Sequence, residues 1–110
     1  DRVKELIKYK GLQVAPAELE AVLQSHPAVA DVAVIPSPDE EAGEVPKAFV
    51  VVKPETTLTA DEVIAFVAER VSPQKKVRKV EFIDAIPKVP SGKILHRTLV
   101  ERERASVGSR

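Results

Sequence analysis

The sequence predicts a small α+β domain: an N-terminal β-hairpin and a short three-stranded sheet packed against helices. Three observations predict it. Stretches 29–35 and 48–52 are dominated by valine and read as buried strands. Apolar residues at helical spacing recur between and after them. Proline and glycine clusters punctuate the boundaries. The implied order is ββ-α-β-β-α-β-α.

Each element has its own signal. Residues 3–14 alternate roughly between apolar and polar, with Lys10-Gly11 in the middle, as a hairpin turned by the positive φ of Gly11. Pro16 suits a first helical turn, and Leu19, Val22 and Leu23 give residues 16–25 an apolar stripe that His26-Pro27 ends. After the strand at 29–35, residues 36–46 read as an acidic loop containing Asp39, Glu40, Glu41 and Glu44. Residues 48–52 form the next strand. Thr59 with Glu62 forms a capping box, and Val63, Ile64, Val67 and Val71 make the inner face of the following helix. Residues 80–83 read as a third core strand. Leu95, Leu99 and Val100 then mark a last helix that frays into 105–110.

Composition narrows the function classes. The chain has 110 residues, enough for one domain with a single modest core. Its 17 Lys and Arg balance 17 Asp and Glu, so no global field favours nucleic acid or an anionic membrane. The absence of cysteine excludes disulfides, thiol nucleophiles and cysteine-based zinc sites, and fits a reducing, cytoplasmic location. No apolar run approaches the roughly 20 residues of a membrane span. The chain contains no methionine and starts at Asp1, which predicts a piece of something larger.

The strongest chemical signal is Pro87-Lys88-Val89-Pro90-Ser91-Gly92-Lys93. Two prolines stiffen the approach, a Ser-Gly pair permits a turn, and one lysine is presented ahead of an apolar segment. It is not a phosphate-cradling nucleotide loop, which needs Gly at Pro87 and Ser or Thr at Ile94. A cationic lysine here can offset charge on a carboxylate and a phosphate oxygen together. At the other end, Lys4, Lys8 and Lys10 share one strand parity, and Gln13 lies on the returning strand. The bland reading of that stripe is the solvated face of an edge hairpin. Asp39-Glu40-Glu41 lacks metal-ligand spacing, and His26 and His96 are isolated. The basic cluster Lys75-Lys76-Val77-Arg78-Lys79 lacks the interleaved aromatics of an RNA-binding surface, since the chain has one Tyr and three Phe. There is no Ser/His/Asp or paired-carboxylate arrangement for hydrolysis.

Taken together, the two ends resemble adenylate-forming enzymes. Residues 1–20, Asp1-Arg2-Val3-Lys4 through Ile7-Lys8-Tyr9-Lys10-Gly11 to Ala15-Pro16-Ala17-Glu18-Leu19-Glu20, look like a hallmark of acyl- and aryl-CoA synthetases, firefly-type luciferases and peptide-synthetase adenylation domains. The 87–93 turn resembles their last conserved motif. Within the family the resemblance is closest to 4-coumarate–CoA ligases and luciferases.

The resemblance implies that residues 1–110 are the C-terminal lid of an AMP-forming ligase whose N-terminal domain holds ATP, Mg²⁺ and a small carboxylic acid. It implies a ribose contact for Arg2, a hinge at Lys4, and an adenylation role for Lys93 between the carboxylate and the α-phosphate. It implies that Lys8 and Gln13 face the adenylate in a second lid position, with Lys10 and Gly11 lining the path of CoA. The lid alone is then expected to be inactive, with no nucleic acid partner and no membrane span. A lid that serves a carrier-protein thiol would use the same lysines. A small RNA-binding or interaction module using residues 75–79 is the reading from another class.

Overall fold

A computed structural model of the chain describes residues 6–108. Its centre is a long antiparallel hairpin of β3 (Val29–Asp39) and β4 (Gly43–Val52), paired from Val29↔Val52 to Asp39↔Gly43. The valine-rich runs are explained by burial on both faces. Val32, Val34, Ala48 and Val50 point into one apolar cluster, while Ala33, Ile35 and Phe49 point into a second on the opposite face. The first cluster is closed by α1 (Pro16–Gln24) through Leu19 and Leu23, and by α2 (Ala60–Ala68) through Val63 and Val67. The second is closed by Ile86 and by Leu99 of α3 (His96–Gly108). The sheet therefore has helices on both sides.

The expected three-stranded sheet and N-terminal hairpin are both present, and they are one sheet. The hairpin of β1 (Ile7–Tyr9) and β2 (Leu12–Val14) joins β4 through Tyr9↔Gly43. Further along that edge of β4, β5 (Lys79–Phe82) pairs in parallel, from Lys47↔Lys79 to Val50↔Phe82. The parallel strand needs a crossover connection, which α2 supplies. Its start is set by the expected capping box: the Glu62 amide donates to Thr59 Oγ1 and the Thr59 amide to Glu62 Oε1.

Several sequence expectations need correction. Residues 36–46 are not an acidic loop: both strands run through them, leaving only 40–42 as a turn. The prolines of this stretch sit within the ladder, Pro36 opposite Pro46. The Pro46 carbonyl accepts from the Arg78 amide on the far side, so its nitrogen also faces away from β3 and no β3–β4 rung lacks its donor. The strand expected at 80–83 is only half-buried, with Phe82 40% exposed. Leu95 precedes α3 and is 36% exposed rather than on its inner face. The helix itself runs to Gly108 instead of fraying at 105. Ile64 is half-buried, and Val71 packs on the core from beyond the end of α2.

One irregularity in β3 matters below. Val29 pairs with Val52 and Asp31 with Val51, so Ala30 is an extra residue, a β-bulge. Because of it Val29 joins the first cluster although its odd number would place it with Ala33 and Ile35 on the other face.

Candidate functional site

The N-terminal hairpin turns through Lys10 (φ 50°) and Gly11 (φ 84°), the two positive φ angles of a type I′ turn that matches strand twist. Tyr9↔Leu12, Lys8↔Gln13 and Ile7↔Val14 are opposite one another. Ile7 and Val14 are fully buried, so the alternate pair, Lys8 and Gln13, must face outward, and both are exposed. The Lys8 amide donates to Glu44 Oε1 at 2.9 Å, away from β2. Lys8 and Gln13 are thus a non-hydrogen-bonded pair, the type with the closer side chains. The hairpin is further held by the Lys10 amide on the Ala42 carbonyl at 2.8 Å, and by Arg78, which donates to the Tyr9 hydroxyl at 3.1 Å and lies over its ring. Lys10 does not continue the Lys8 stripe; its ammonium sits 5.6 Å from the Tyr9 ring centroid.

Lys93 is on a second, separate hairpin. Lys88 and Ile94 form an antiparallel bridge, the Gly92 amide donates to the Val89 carbonyl, and the Val89 amide donates to the Lys93 carbonyl. Pro90 and Ser91 occupy the centre of this turn, and Gly92 takes φ 95°, the left-handed residue of a three-residue loop. Lys93 is exposed, and its side chain has no hydrogen-bond or ion-pair partner among the described residues. Behind it the arm is tied down twice. Lys88 Nζ lies 2.6 Å from Asp31 Oδ2, and His96 Nε2 lies 2.6 Å from Glu20 Oε2.

The structure therefore brings Lys8, Gln13, Lys10 and Gly11 together and keeps Lys93 on another element. The first group is attached at the β3–β4 turn and the Lys93 arm near the start of β3. Asp31 and Asp39 mark these two ends, about 26 Å apart at ~3.3 Å per residue. Arg2 and Lys4 lie outside the described residues.

The basic cluster at 75–79 is mostly consumed within the domain. Lys75 pairs with Glu18 of α1 at 3.0 Å, Arg78 holds Tyr9, and Lys79 donates to Ser37 Oγ at 2.9 Å. Three of its four cations are thereby tied to the fold. His26 is a local cap, its Nδ1 accepting from the Ala28 amide while its ring meets Phe66 edge-on. Asp39 closes the β3–β4 turn by accepting from the Glu41 and Ala42 amides. Among the described residues no three His, Cys, Asp or Glu side chains stand together as a metal site, and no helix is long and apolar enough to cross a membrane.

A buried polar network under α3 was missed by the sequence reading. Lys47 and Glu103 are 9% and 4% exposed and form an ion pair at 2.5 Å. Glu103 also accepts from Ser37 Oγ at 2.6 Å, and Lys47 reaches Glu81 at 2.9 Å. Burial by itself would raise the Glu103 carboxyl, but the hydrogen bonds from Lys47 and Ser37 and the nearby positive charges hold it below its usual range. Burial would likewise lower Lys47, and its bonds to Glu103 and Glu81 overcome that and raise it. The signal was present in the sequence. Glu103 falls in phase with Leu99 on α3, and Lys47 in phase with Phe49 and Val51 on β4, so each is a charge on an otherwise buried stripe.

Comparison with known proteins adds to this geometry. The family model of the AMP-binding enzyme C-terminal domain matches residues 18–93. The chain is 63% identical over 102 residues to 4-coumarate–CoA ligase-like 5 of Oryza sativa subsp. japonica, covering 93% of this chain and 19% of that protein. It is 60% identical over 102 residues to 4-coumarate–CoA ligase-like 1 of Arabidopsis thaliana, again 93% of this chain and 19% of the relative. Among solved structures, a fatty acyl CoA synthetase of Mycobacterium tuberculosis superimposes with a TM-score of 0.88 at 39% identity, covering 96% of this chain and 21% of that one. The anthranilate CoA ligase AuaEII, in complex with anthranoyl-AMP, superimposes at 0.87 with 31% identity over 96% of this chain and 21% of that one. The chain thus spans about a fifth of the length of the relatives it matches.

Proposed function

The chain belongs to the family of AMP-binding enzyme C-terminal domains, and on that premise we propose that it is the mobile lid of an ATP-dependent, AMP-forming acid–CoA ligase. The observation that carries this reading is the separation of two lysine-bearing turns on one rigid sheet. Lys93 is an exposed cation on a tight turn with no internal partner among the described residues. Lys8 and Gln13 form an exposed pair on a different turn, attached at the other end of β3.

The two half-reactions ask for different things. In the first, a carboxylate oxygen of the acid attacks the α-phosphorus of ATP, and the bond to pyrophosphate breaks. Negative charge gathers at the α-phosphate, where a fixed cation is most effective. Lys93 fills that role. In the second, the sulfur of CoA attacks the acyl carbon and AMP leaves. The lid turns so that Lys8 and Gln13 face the adenylate and the Lys10-Gly11 turn lines the thiol path. The bond from Glu44 to the Lys8 amide keeps that face fixed to the sheet as the lid rotates.

The rest of the site belongs to an N-terminal domain of the same polypeptide, with Arg2 at the ribose and Lys4 at the hinge. The acyl-adenylate in the anthranilate CoA ligase complex is the kind of intermediate this reading requires. The described residues offer no ligand set for Mg²⁺, which the N-terminal domain would hold. The acid is a small-molecule carboxylate, and the lid alone is inactive because Lys93 has no substrate to meet.

Lys93→Ala in the full-length ligase tests this directly by ATP–pyrophosphate exchange. The exchange rate is expected to fall about 10²–10³-fold, the usual effect of removing one charge-stabilising donor. Exchange at the parent rate would overturn the assignment.

A further inference from the structure

We propose that Asp31 and Glu20 are positioning residues for Lys93, clamping its arm to β3 from both sides so that the ammonium is delivered at one fixed place. The proposal rests on the reading above that Lys93 acts in adenylate formation. Lys93 follows a three-residue loop, and the turn alone sets only the local path of the chain. Ile94, next to Lys93, packs on the second core cluster, and a pair of polar contacts on either side of Lys93 fixes how the arm lies on that apolar seat. Five residues before Lys93, Lys88 meets Asp31; three residues after it, His96 meets Glu20.

Both acids are themselves held. Asp31 Oδ1 accepts from the Val32 amide at 3.0 Å, leaving Oδ2 for Lys88. Its direction follows the regular alternation of β3, and the bulge at Ala30 separates it from Val29. In a regular strand Val29 and Asp31 would share a face; the extra residue lets Val29 enter the first core cluster while Asp31 keeps the phase of Ala33 and Ile35. That second face is the one covered by Ile86 and α3, between which the arm runs. Glu20 does a similar job from α1. Its Oε2 accepts from the Val34 amide of β3 at 2.9 Å and meets His96 through the same oxygen. The carboxylate thus links α1, β3 and the first residue of α3 at one point.

The Lys88–Asp31 pair is a poor candidate for stability alone. Lys88 and Asp31 are 37% and 27% exposed, and ion pairs in such settings contribute little to folding. Their effect is geometric, and a displacement of about 1 Å at a reacting centre can lower a rate a hundredfold.

The test uses the full-length ligase with Asp31→Asn, Glu20→Gln, Lys88→Ala and His96→Ala. Glu20→Gln keeps an acceptor for the Val34 amide, and Lys88 is on the surface, so these two separate positioning from folding. The expected result is a tenfold or greater fall in kcat for ATP–pyrophosphate exchange with KM for ATP unchanged. Thioester formation from preformed acyl-adenylate should stay within about twofold, and the charge-swapped pair Asp31→Lys with Lys88→Asp should recover exchange. Equal loss of both half-reactions, or no loss in either, overturns the clamp. Lys93→Ala is run alongside: if it leaves exchange intact, the adenylation reading itself has failed, whereas exchange lost in Lys93→Ala and kept in all four clamp variants sinks only the clamp.

Discussion

The N-terminal hairpin and the Lys93 arm solve one problem by different means. Each turns a chain tightly with a glycine at positive φ and presents a lysine to solvent. The hairpin is held to the sheet by its backbone groups, with the Lys8 amide on Glu44, the Lys10 amide on Ala42 and Tyr9 beside Gly43, and by Ile7 and Val14 buried in the first core cluster. Among the described residues the backbone bonds of the arm stay within it, and it reaches the rest of the domain through side chains: Lys88 to Asp31, His96 to Glu20, and Ile94 on the second core cluster. An element paired through its backbone takes its geometry from the ladder, so its exposed residues, Lys8 and Gln13, can change without moving it. A side-chain-held element can be tuned, and broken, one residue at a time.

The largest stability effect that would sharpen this contrast is at the helix following the arm. Among the described residues Glu103→Ala leaves the buried Lys47 with Glu81 alone as an ionic partner, and is expected to destabilise the domain by about 3 kcal/mol. In thermal unfolding that corresponds to a midpoint lower by roughly 10 °C or more. A shift of only a degree or two would mean that α3 is held by Leu99 and its neighbours alone.

The same network gives a pH signature. Glu103 is held below its ordinary range in the folded state, so its contribution is present above the unfolded value of ~4.3 and is lost as pH falls through the lowered folded value. Lys47 is held above its ordinary range, so its contribution is present below ~10.4 and is lost as pH rises through the raised folded value. Urea unfolding at pH 7 and pH 3 should therefore show the gap between parent and Glu103→Gln shrinking at the lower pH. A gap of constant size would rule out the ion pair as its source.

A smaller effect is expected in the hairpin. A Cβ at Gly11 meets nothing within 4 Å, so Gly11→Ala suffers only the left-handed backbone, about 1 kcal/mol. Amide exchange should show faster opening confined to β1 and β2, with the ladder of β3 and β4 unchanged. Spread of the effect into β3 would show that the hairpin is part of the central cooperative unit rather than an attachment to it.

Much of this was legible in the sequence, for identifiable reasons. The valine runs, the Thr59–Glu62 box and the Lys10-Gly11 turn are local signals, and local signals carried the core strands, α2 and the hairpin. The acids of 36–46 misled, because charge signals exposure and not whether a segment pairs, and Asp39 and Glu44 both lie in the ladder. Leu95 misled because apolar spacing does not show where a helix begins. The lysines of the two turns were visible as motifs. What holds them, Glu20, Asp31, Glu44 and the Lys47–Glu103 pair, was not, since each partner comes from a distant part of the chain.

The central claim is that two elements of one lid serve two half-reactions, and one assay separates them. Full-length ligase carrying Lys93→Ala, and in parallel Lys8→Ala, is given preformed acyl-adenylate and CoA, and thioester formation is timed in a single turnover. The account predicts a rate near that of the parent for Lys93→Ala and at least a tenfold fall for Lys8→Ala. Equal slowing in both, or a loss confined to Lys93→Ala, would contradict it and place both steps on a single face of the domain.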